Sequence, residues 1–256
     1  MTNSLIKMLL QFLLVTAVVL AVSAENRLDK LDSKAFLLKA RNPDNRTWCT
    51  MDGKVVHRKS GSDTASAPLY MGIAFNPDRM LAQVIIDNKE GYTLGQAYAG
   101  NDSTTVIPLN PAGYKQSMLS EFGLRAQDLS MSFLYWNFEK ELAREDIKGS
   151  ECRVFILREP KTGEIAKVYL NSQYCFPMKV EWFKEKYVEN EEPYRTLEAA
   201  SFKKEKDFWI VNKLKLYGPG WRTNVEFDNI DVGMTADNIP PKLFRELPET
   251  AAPGRK

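Results

Sequence analysis

Histidine and cysteine are scarce in this sequence, which has one histidine, His57, and three cysteines among its 256 residues. The cysteines lack the C-x-x-C spacing of a zinc site and one imidazole adds little, so no metal site is predicted. His57 lies on an expected strand beside two cations. It could act as a general base, but a histidine near a strand end among solvated charges is the more common case.

Motifs of the common catalytic sites are missing as well. The chain contains no G-x-S-x-G elbow, H-E-x-x-H pair, P-loop or G-x-G-x-x-G turn. Carboxylate pairs such as Glu139 and Glu141 occur, but a glycosidase needs two acids that converge on one cleft, and such pairs usually form a solvated face. The sequence therefore predicts no enzyme activity, no catalytic residue and no cofactor.

A charge imbalance is also absent, because 35 Lys and Arg residues stand against 33 Asp and Glu residues. Proteins that bind nucleic acids usually carry a basic stripe with aromatic residues between the cations. No such stripe is found here. A nucleic-acid partner is therefore not predicted.

One long apolar run is present, and it lies near the N terminus. Lys7 precedes an apolar stretch from Met8 to Val22 that ends in small residues. This order is typical of a secretory signal peptide, here residues 1–24 with cleavage after Ala24. A transmembrane helix is the alternative, but the run is shorter than the ~20 residues that a bilayer core requires. We predict a soluble protein that works outside the cytoplasm.

The rest of the chain is predicted to be mostly antiparallel sheet, preceded by an amphipathic helix over Asp29–Ala40. Apolar residues recur at every second position, which is typical of strands with one buried face. The turn after Phe75 sets that residue opposite Met80, and a turn at residues 89–91 sets Ile86 opposite Leu94. The apolar face then stays consistent across three strands.

The second half of the chain gives the same pattern. A loop at residues 159–163 sets Val154 and Ile156 opposite Val168 and Ala166. Further strands are predicted at residues 194–202, 208–216 and 222–230. The alternation is lost at residues 108–130, which form either a hinge or lid or a surface connection. One domain over residues 25–247 and a polar tail over 248–256 are expected.

The three cysteines allow one disulfide and one buried thiol, the simplest arrangement in a secreted chain. The predicted register sets Cys152 opposite Leu170, which brings Cys175 within bridging reach. A Cys152–Cys175 disulfide would stabilise the fold by ~3 kcal/mol in the chain-entropy model. Two buried thiols are the alternative, and Cys49 is expected in the core.

The order of these features resembles the outer-membrane lipoprotein-sorting proteins, the LolA-like family. The likeness extends from about Phe36 to Phe244. It rests on four segments: Asp128 through Phe133-Leu134-Tyr135-Trp136 to Gly149-Ser150-Glu151-Cys152, then Lys167-Val168-Tyr169-Leu170, then Phe176-Pro177-Met178-Lys179-Val180-Glu181, and Trp221-Arg222-Thr223-Asn224-Val225. The resemblance implies a strongly curved antiparallel sheet, an unclosed barrel, with short helices that cap its concave face.

The resemblance also implies a monomeric periplasmic carrier or chaperone. It would bind acyl chains of lipoproteins or phospholipids for transport towards the outer membrane, with an inner-membrane exporter and an outer-membrane acceptor as partners. A gating arginine is typical of the family, but Arg46, Arg58 and Arg79 all lie near expected strand ends and none stands in a distinctive motif.

Apolar residues on the inner face of the sheet would line the lipid cavity. The predicted lining is Leu69, Met71, Ile73, Val84, Ile86, Leu94, Val154, Ile156, Val168, Val180, Trp182, Ile210, Leu214 and Val225. Such a face must be covered by helices, another sheet or a ligand. Two alternatives remain: an ordinary dry core, or a regulatory module of the same fold that contacts an envelope protein.

Overall fold

The structure is a computed structural model that describes residues 28–42, 46–99, 104–110, 117–236 and 238–248. The signal peptide predicted over residues 1–24 lies outside these ranges, as does nearly all of the predicted tail. Within the described part of the chain, no helix is long and apolar enough to cross a membrane.

Among the described residues, short helices occur before the first strand and between the fifth and sixth strands. Helix α1 spans Ser33–Arg41 and begins after Asp32, whose carboxylate accepts a hydrogen bond from the backbone N–H of Ala35. This confirms the predicted opening helix. The described part of the segment without alternation forms α2 (Met118–Glu121) and α3 (Ala126–Leu129), and a 3-10 helix (Ser132–Tyr135) follows it.

Strands make up most of the molecule, as the period of two predicts. They are β1 (Thr47–Lys59), β2 (Ala65–Phe75), β3 (Arg79–Ile86), β4 (Glu90–Ala97), β5 (Thr105–Pro108), β6 (Asn137–Ile147), β7 (Ser150–Arg158), β8 (Ile165–Asn171), β9 (Pro177–Phe183), β10 (Arg195–Glu205), β11 (Phe208–Gly218) and β12 (Trp221–Met234). They form one 12-stranded antiparallel sheet in the order β5-β4-β3-β2-β1-β12-β11-β10-β9-β8-β7-β6. Since β5 and β6 are its two edges, the described strands do not close into a barrel.

The helices cover one face of the sheet, which we call the concave face. Phe36 of α1 and Leu129 of α3 belong to one hydrophobic cluster that also contains Leu94 of β4 and Val168 of β8. Seven strands lie between β4 and β8 in the sheet. The sheet therefore curves around its short helices, and the predicted fold class is confirmed.

The register in the first half keeps the predicted face but not every predicted pair. Phe75 pairs with Met80 as expected. Ile86, however, pairs with Glu90 and not with Leu94. The turn comes two residues early because Asp87 and Asn88 both adopt a positive φ of 53°. The shift is even, so the apolar residues stay on one face.

The predicted register of β7 and β8 is wrong by one residue. Arg158 pairs with Ile165, so the loop between them has six residues and not five. Phe155 is consequently the partner of Val168, while Val154 and Ile156 point to the opposite, convex face. A one-residue slip exchanges the two faces of a strand. Val154 and Ile156 therefore do not lie on the concave face, where the sequence analysis placed them.

The predicted Cys152–Cys175 disulfide is absent from the structure. All three cysteines are described, and all are buried free thiols. Cys152 pairs with Asn171, not Leu170, and packs on the convex face beside Tyr169. Cys175 belongs to the main cluster on the concave face. The register error above is the reason, because it placed Cys152 on the wrong side of the sheet.

A C-terminal strap, residues 238–248, covers part of the convex face. Residues 240–244 form a turn in which the N–H of Leu243 donates to the carbonyl of Pro240 at 3.0 Å. The Leu243 side chain is buried beside Trp48 and Ala74. Gly72 lies so close to the Leu243 carbonyl that a β-carbon there would collide with it.

Polar contacts of Arg245 fix the end of the strap. Its guanidinium makes two hydrogen bonds of 2.7 Å to the Asp52 carboxylate and lies 3.4 Å from the centre of the Tyr70 ring. Its backbone N–H and carbonyl both bond to the side-chain amide of Gln83. The strap is thus held by packing and by paired hydrogen bonds.

Candidate functional site

An apolar cavity of about 230 Å³ opens on the concave face of the sheet. Its lining comes from the central strands and from the residues that follow α3. The main contributors are Met51, Met71, Ile73, Met80, Met131, Ile210, Leu214 and Phe227. No charged side chain lines it among the described residues. A hydrocarbon placed here would contact almost only apolar groups.

A second cavity of about 370 Å³ adjoins the first. The two share part of their lining, namely Phe75, Met80, Ser130, Met131 and Phe176. The second cavity extends under α1, where Lys39 and Arg41 contribute to its wall. The larger of the two falls within the size range that small-molecule sites usually have, ~300–1,000 Å³.

Exposed aromatic side chains lie in or next to the lining of these cavities. Trp209 on β11 is 70% exposed and Tyr174 before β9 is 75% exposed, yet each contributes to the lining of one cavity. Phe202 is partly exposed and contacts the Phe176 ring, with 5.4 Å between ring centres. Exposed apolar groups that cluster on a protein surface commonly mark a binding site.

Three solved structures share this architecture. A domain named as an outer membrane lipoprotein-sorting protein, from Vibrio parahaemolyticus, matches with a TM-score of 0.59 over 82% of this chain and 94% of that one, at 16% identity. A LolA superfamily protein from Nitrosomonas europaea matches with a TM-score of 0.51 over 84% and 97%, at 12% identity. The fold is LolA-like. A DUF1329 family protein from Desulfovibrio piger shares it, with a TM-score of 0.54 over 78% and 93%, at 10% identity.

The likeness is one of structure alone. No protein-family model matches the chain, and no curated protein sequence matches it either. At identities of 16% and below, the shared LolA-like fold does not carry over the cargo or partners of the matched proteins.

The structure divides the predicted lining residues into three groups. Met71, Ile73, Ile210 and Leu214 line the open apolar cavity. Others pack in the closed part of the same LolA-like core: Leu69, Val84, Ile86, Leu94, Val168, Val180, Trp182 and Val225. Val154 and Ile156 lie in separate clusters on the convex face, with Tyr169 and Ile165 respectively. The one-residue error in the predicted register of β7 and β8 explains why these two residues do not line the cavity.

Several cavity residues were missed by sequence reasoning. Met131, Phe176 and Trp209 lie outside regular alternation, at a helix end, a strand start and a hairpin end. Met131 has a positive φ of 55°, which turns the chain between α3 and the 3-10 helix. A search for apolar residues at every second position does not detect such residues. The aromatic side chains of Phe176 and Trp209 could have indicated them.

A buried ion pair fixes the segment of α2 and α3 over the concave face. Arg195 on β10 lies 2.6 Å from the Asp128 carboxylate of α3, and the two side chains are 5% and 3% exposed. Arg195 also donates to the carbonyl of Gly123 at 3.0 Å, and its guanidinium lies 4.8 Å from the Trp182 ring centre. The Asp128 carboxylate accepts in addition from the N–H of Arg125.

A second cluster fixes α1. Arg153 on β7 makes two hydrogen bonds of 2.7 Å to Glu141 and donates to the carbonyl of Leu31 at 2.8 Å. Its guanidinium lies 4.4 Å from the centre of the Phe36 ring. Burial raises the pKa of Glu141, but the hydrogen bonds from Arg153 and Ser33 outweigh it, so the pKa lies below its usual value. The carboxylate thus stays ionised and holds the helix.

The arginines considered from the sequence have other positions. Arg46 bonds to Asn42 and lies over the Tyr98 ring, and Arg79 pairs with the neighbouring Asp78. Neither contacts the segment of α2 and α3 in the interactions above. In this LolA-like fold, Arg153 and Arg195 are among the residues that hold the helices to the sheet.

His57 lies near α2, at the end of β1. Thr223 Oγ1 donates to the carbonyl of Phe122 at 2.5 Å, so it accepts from His57 Nδ1 at 2.8 Å. The imidazole packs beside the rings of Phe122 and Trp221. Burial lowers the pKa of His57; its contact with the Phe122 backbone opposes this and the charge of Lys59 adds to it. A hydroxyl orients this histidine, as expected of a structural residue.

Acidic, histidine and cysteine side chains do not come together as a metal site. Within the described ranges, no group of three or more such residues could hold a metal ion. The apolar lining of the described cavity is suited to enclosing an apolar group.

Proposed function

We propose that the protein is a periplasmic carrier that binds the acyl chains of lipoproteins or phospholipids and transports them towards the outer membrane. The observation that supports this most is the open apolar cavity of about 230 Å³ on the concave face, lined by Met71, Ile73, Ile210 and Leu214. A LolA-like neighbour named as a lipoprotein-sorting domain supports the same function.

The energetics of such a carrier follow from the hydrophobic effect. Each methylene group moved from water into an apolar site gains ~0.8 kcal/mol, so an acyl chain prefers this cavity strongly over water. Compared with a membrane interior the gain is close to zero. A modest change in cavity shape is then sufficient to release the chain to an acceptor.

The remaining parts of the proposal concern the setting. Residues 1–24 act as a signal peptide that is cleaved after Ala24, and the mature chain works in the periplasm as a monomer. An inner-membrane exporter loads it and an outer-membrane acceptor receives the cargo. The exposed aromatic residues Tyr174, Phe202 and Trp209 surround the path by which the acyl chain enters.

Filling the cavity tests the proposal. Ile73 is only partly buried and lines the cavity, so Ile73→Trp should occupy the space that a guest would use. Ile107, 57% exposed on β5, gives the matched control Ile107→Trp. We expect the delipidated protein and the control to bind a fluorescent fatty acid, and Ile73→Trp to bind it at least about tenfold more weakly. Equal binding by all three proteins, or no binding by any, would contradict the proposal.

A further inference from the structure

The two adjoining cavities differ in charge. The 230 Å³ cavity has no charged side chain in its described lining. The described lining of the 370 Å³ cavity has two, Lys39 and Arg41, and both are positive. Both come from the last turn of α1, so the positive charge is confined to one end of an otherwise apolar space.

The arginine is held in place by its surroundings. Arg41 Nε donates to the carbonyl of Leu134 at 2.6 Å, and one Nη donates to the carbonyl of Trp136 at 2.8 Å. The hydroxyl of Tyr135 in turn donates to the carbonyl of Arg41 at 2.6 Å. The guanidinium is therefore fixed at the cavity wall in a set orientation.

The positive charge of Lys39 acts on a group inside the cavity. Cys175, which lines it, is buried, and burial raises the pKa of its thiol to about 11. The positive charges of Lys39 and Arg153 act in the opposite direction on that pKa, because they favour the thiolate. An anion placed in the same cavity would be favoured in the same way.

We propose that the guest is an amphiphile with an anionic head, a carboxylate or a phosphate. Its hydrocarbon chain lies in the apolar cavity and its head lies in the adjoining cavity against Lys39 and Arg41. The inference rests on the proposed function and adds a preference for ligand charge. A zwitterionic head gains less there because its own cation is repelled by Lys39 and Arg41, which offsets the attraction of its phosphate, and a neutral head has no charge to be attracted.

Three ligands with the same acyl chain test this preference below their critical micelle concentrations. They are palmitate, lysophosphatidylglycerol and lysophosphatidylcholine with a palmitoyl chain. We expect at least one anionic ligand to displace a fluorescent fatty acid about tenfold more effectively than the zwitterionic one at low salt. Palmitate tests the carboxylate and lysophosphatidylglycerol tests the phosphate, so their ranking identifies the head group.

Substitution of one lysine tests the location. Lys39→Gln should reduce the preference for the anionic ligand to within about twofold, while Lys34→Gln should retain it, because Lys34 is exposed on the same helix and does not line the cavity. Equal unfolding midpoints of the two variants in urea would exclude a folding defect. Equal affinity for anionic and zwitterionic ligands, or the same preference in both variants, would overturn the inference and leave the proposed function intact. Failure of all three ligands to bind would contradict both.

Discussion

Arg195 of β10 and Asp128 of α3 form an ion pair with an N–O distance of 2.6 Å, and both side chains are almost completely buried. The pair joins the covering segment of α2 and α3 to the sheet wall. Because the two residues are 67 positions apart, it closes a long loop over the concave face. The cover of the cavity is thus fixed by charge as well as by apolar packing.

Removing one partner of this pair should destabilise the protein strongly. Arg195→Met leaves the Asp128 carboxylate buried without its cation, and such changes usually cost about 3–5 kcal/mol. Urea unfolding should show this loss in the free energy of unfolding. The exposed pair of Lys213 and Glu226 supplies a control, and Lys213→Met should change stability little. Similar stability of both variants would show that the buried pair has no structural role.

The C-terminal strap should contribute to stability through one side chain. Leu243 is 2% exposed, so Leu243→Ala should lower the free energy of unfolding by about 2–5 kcal/mol. The next residue, Phe244, is 39% exposed, and Phe244→Ala should stay within about 0.5 kcal/mol of the parent. Chemical denaturation measures both. If the two variants are equally stable, the strap does not pack on the convex face as described.

Stability should depend on pH through His57. Its pKa in the folded protein lies below the ordinary value of 6.5, because burial favours the neutral imidazole. As the pH falls through 6.5, the unfolded chain therefore takes up a proton before the folded protein does, and stability decreases. His57→Gln removes this contribution. The difference in unfolding free energy between parent and variant should shift in favour of the variant from about pH 7.5 to about pH 5. A constant difference, or a shift in favour of the parent, would contradict it.

The cysteines should be unreactive in the folded protein and all reduced. Burial raises the pKa of Cys49 to about 12 and those of Cys152 and Cys175 to about 11 each. Thiolates are then rare at neutral pH, and the thiolate is the reactive form. A thiol reagent should modify none of them natively and all three after unfolding without reductant. One reactive thiol after unfolding would instead indicate the disulfide that the sequence suggested.

The sequence was sufficient to predict the class of fold. The alternation of apolar and polar residues indicates strands even where the position of a turn is predicted wrongly. At Ile86 the predicted turn was displaced, but by an even number of residues, so Leu94 stayed on the concave face. At Arg158 the loop was longer by a single residue, which moved Val154 and Ile156 to the convex face. The sequence does not fix whether this loop has five or six residues, because the chain on both sides of it is apolar at successive positions.

The parts that the sequence did not predict are those that depend on distant contacts. Nothing near Arg195 indicates that its partner is Asp128, and nothing near Leu243 indicates that Trp48 lies beneath it. Such pairs are brought together only by the completed sheet. The cationic end of the cavity was missed as well, since Lys39 belongs to the polar side of the predicted helix over Asp29–Ala40 and Arg41 follows that helix.

Native mass spectrometry of the protein, purified without detergent from an envelope extract, tests the central claim that the concave face holds a guest hydrocarbon. We expect part of the protein to carry an added mass equal to that of an acyl lipid, and Ile73→Trp to carry less of it than Ile107→Trp. Recovery of only the bare chain mass in every sample, including samples exposed to an excess of envelope lipid, would contradict the account.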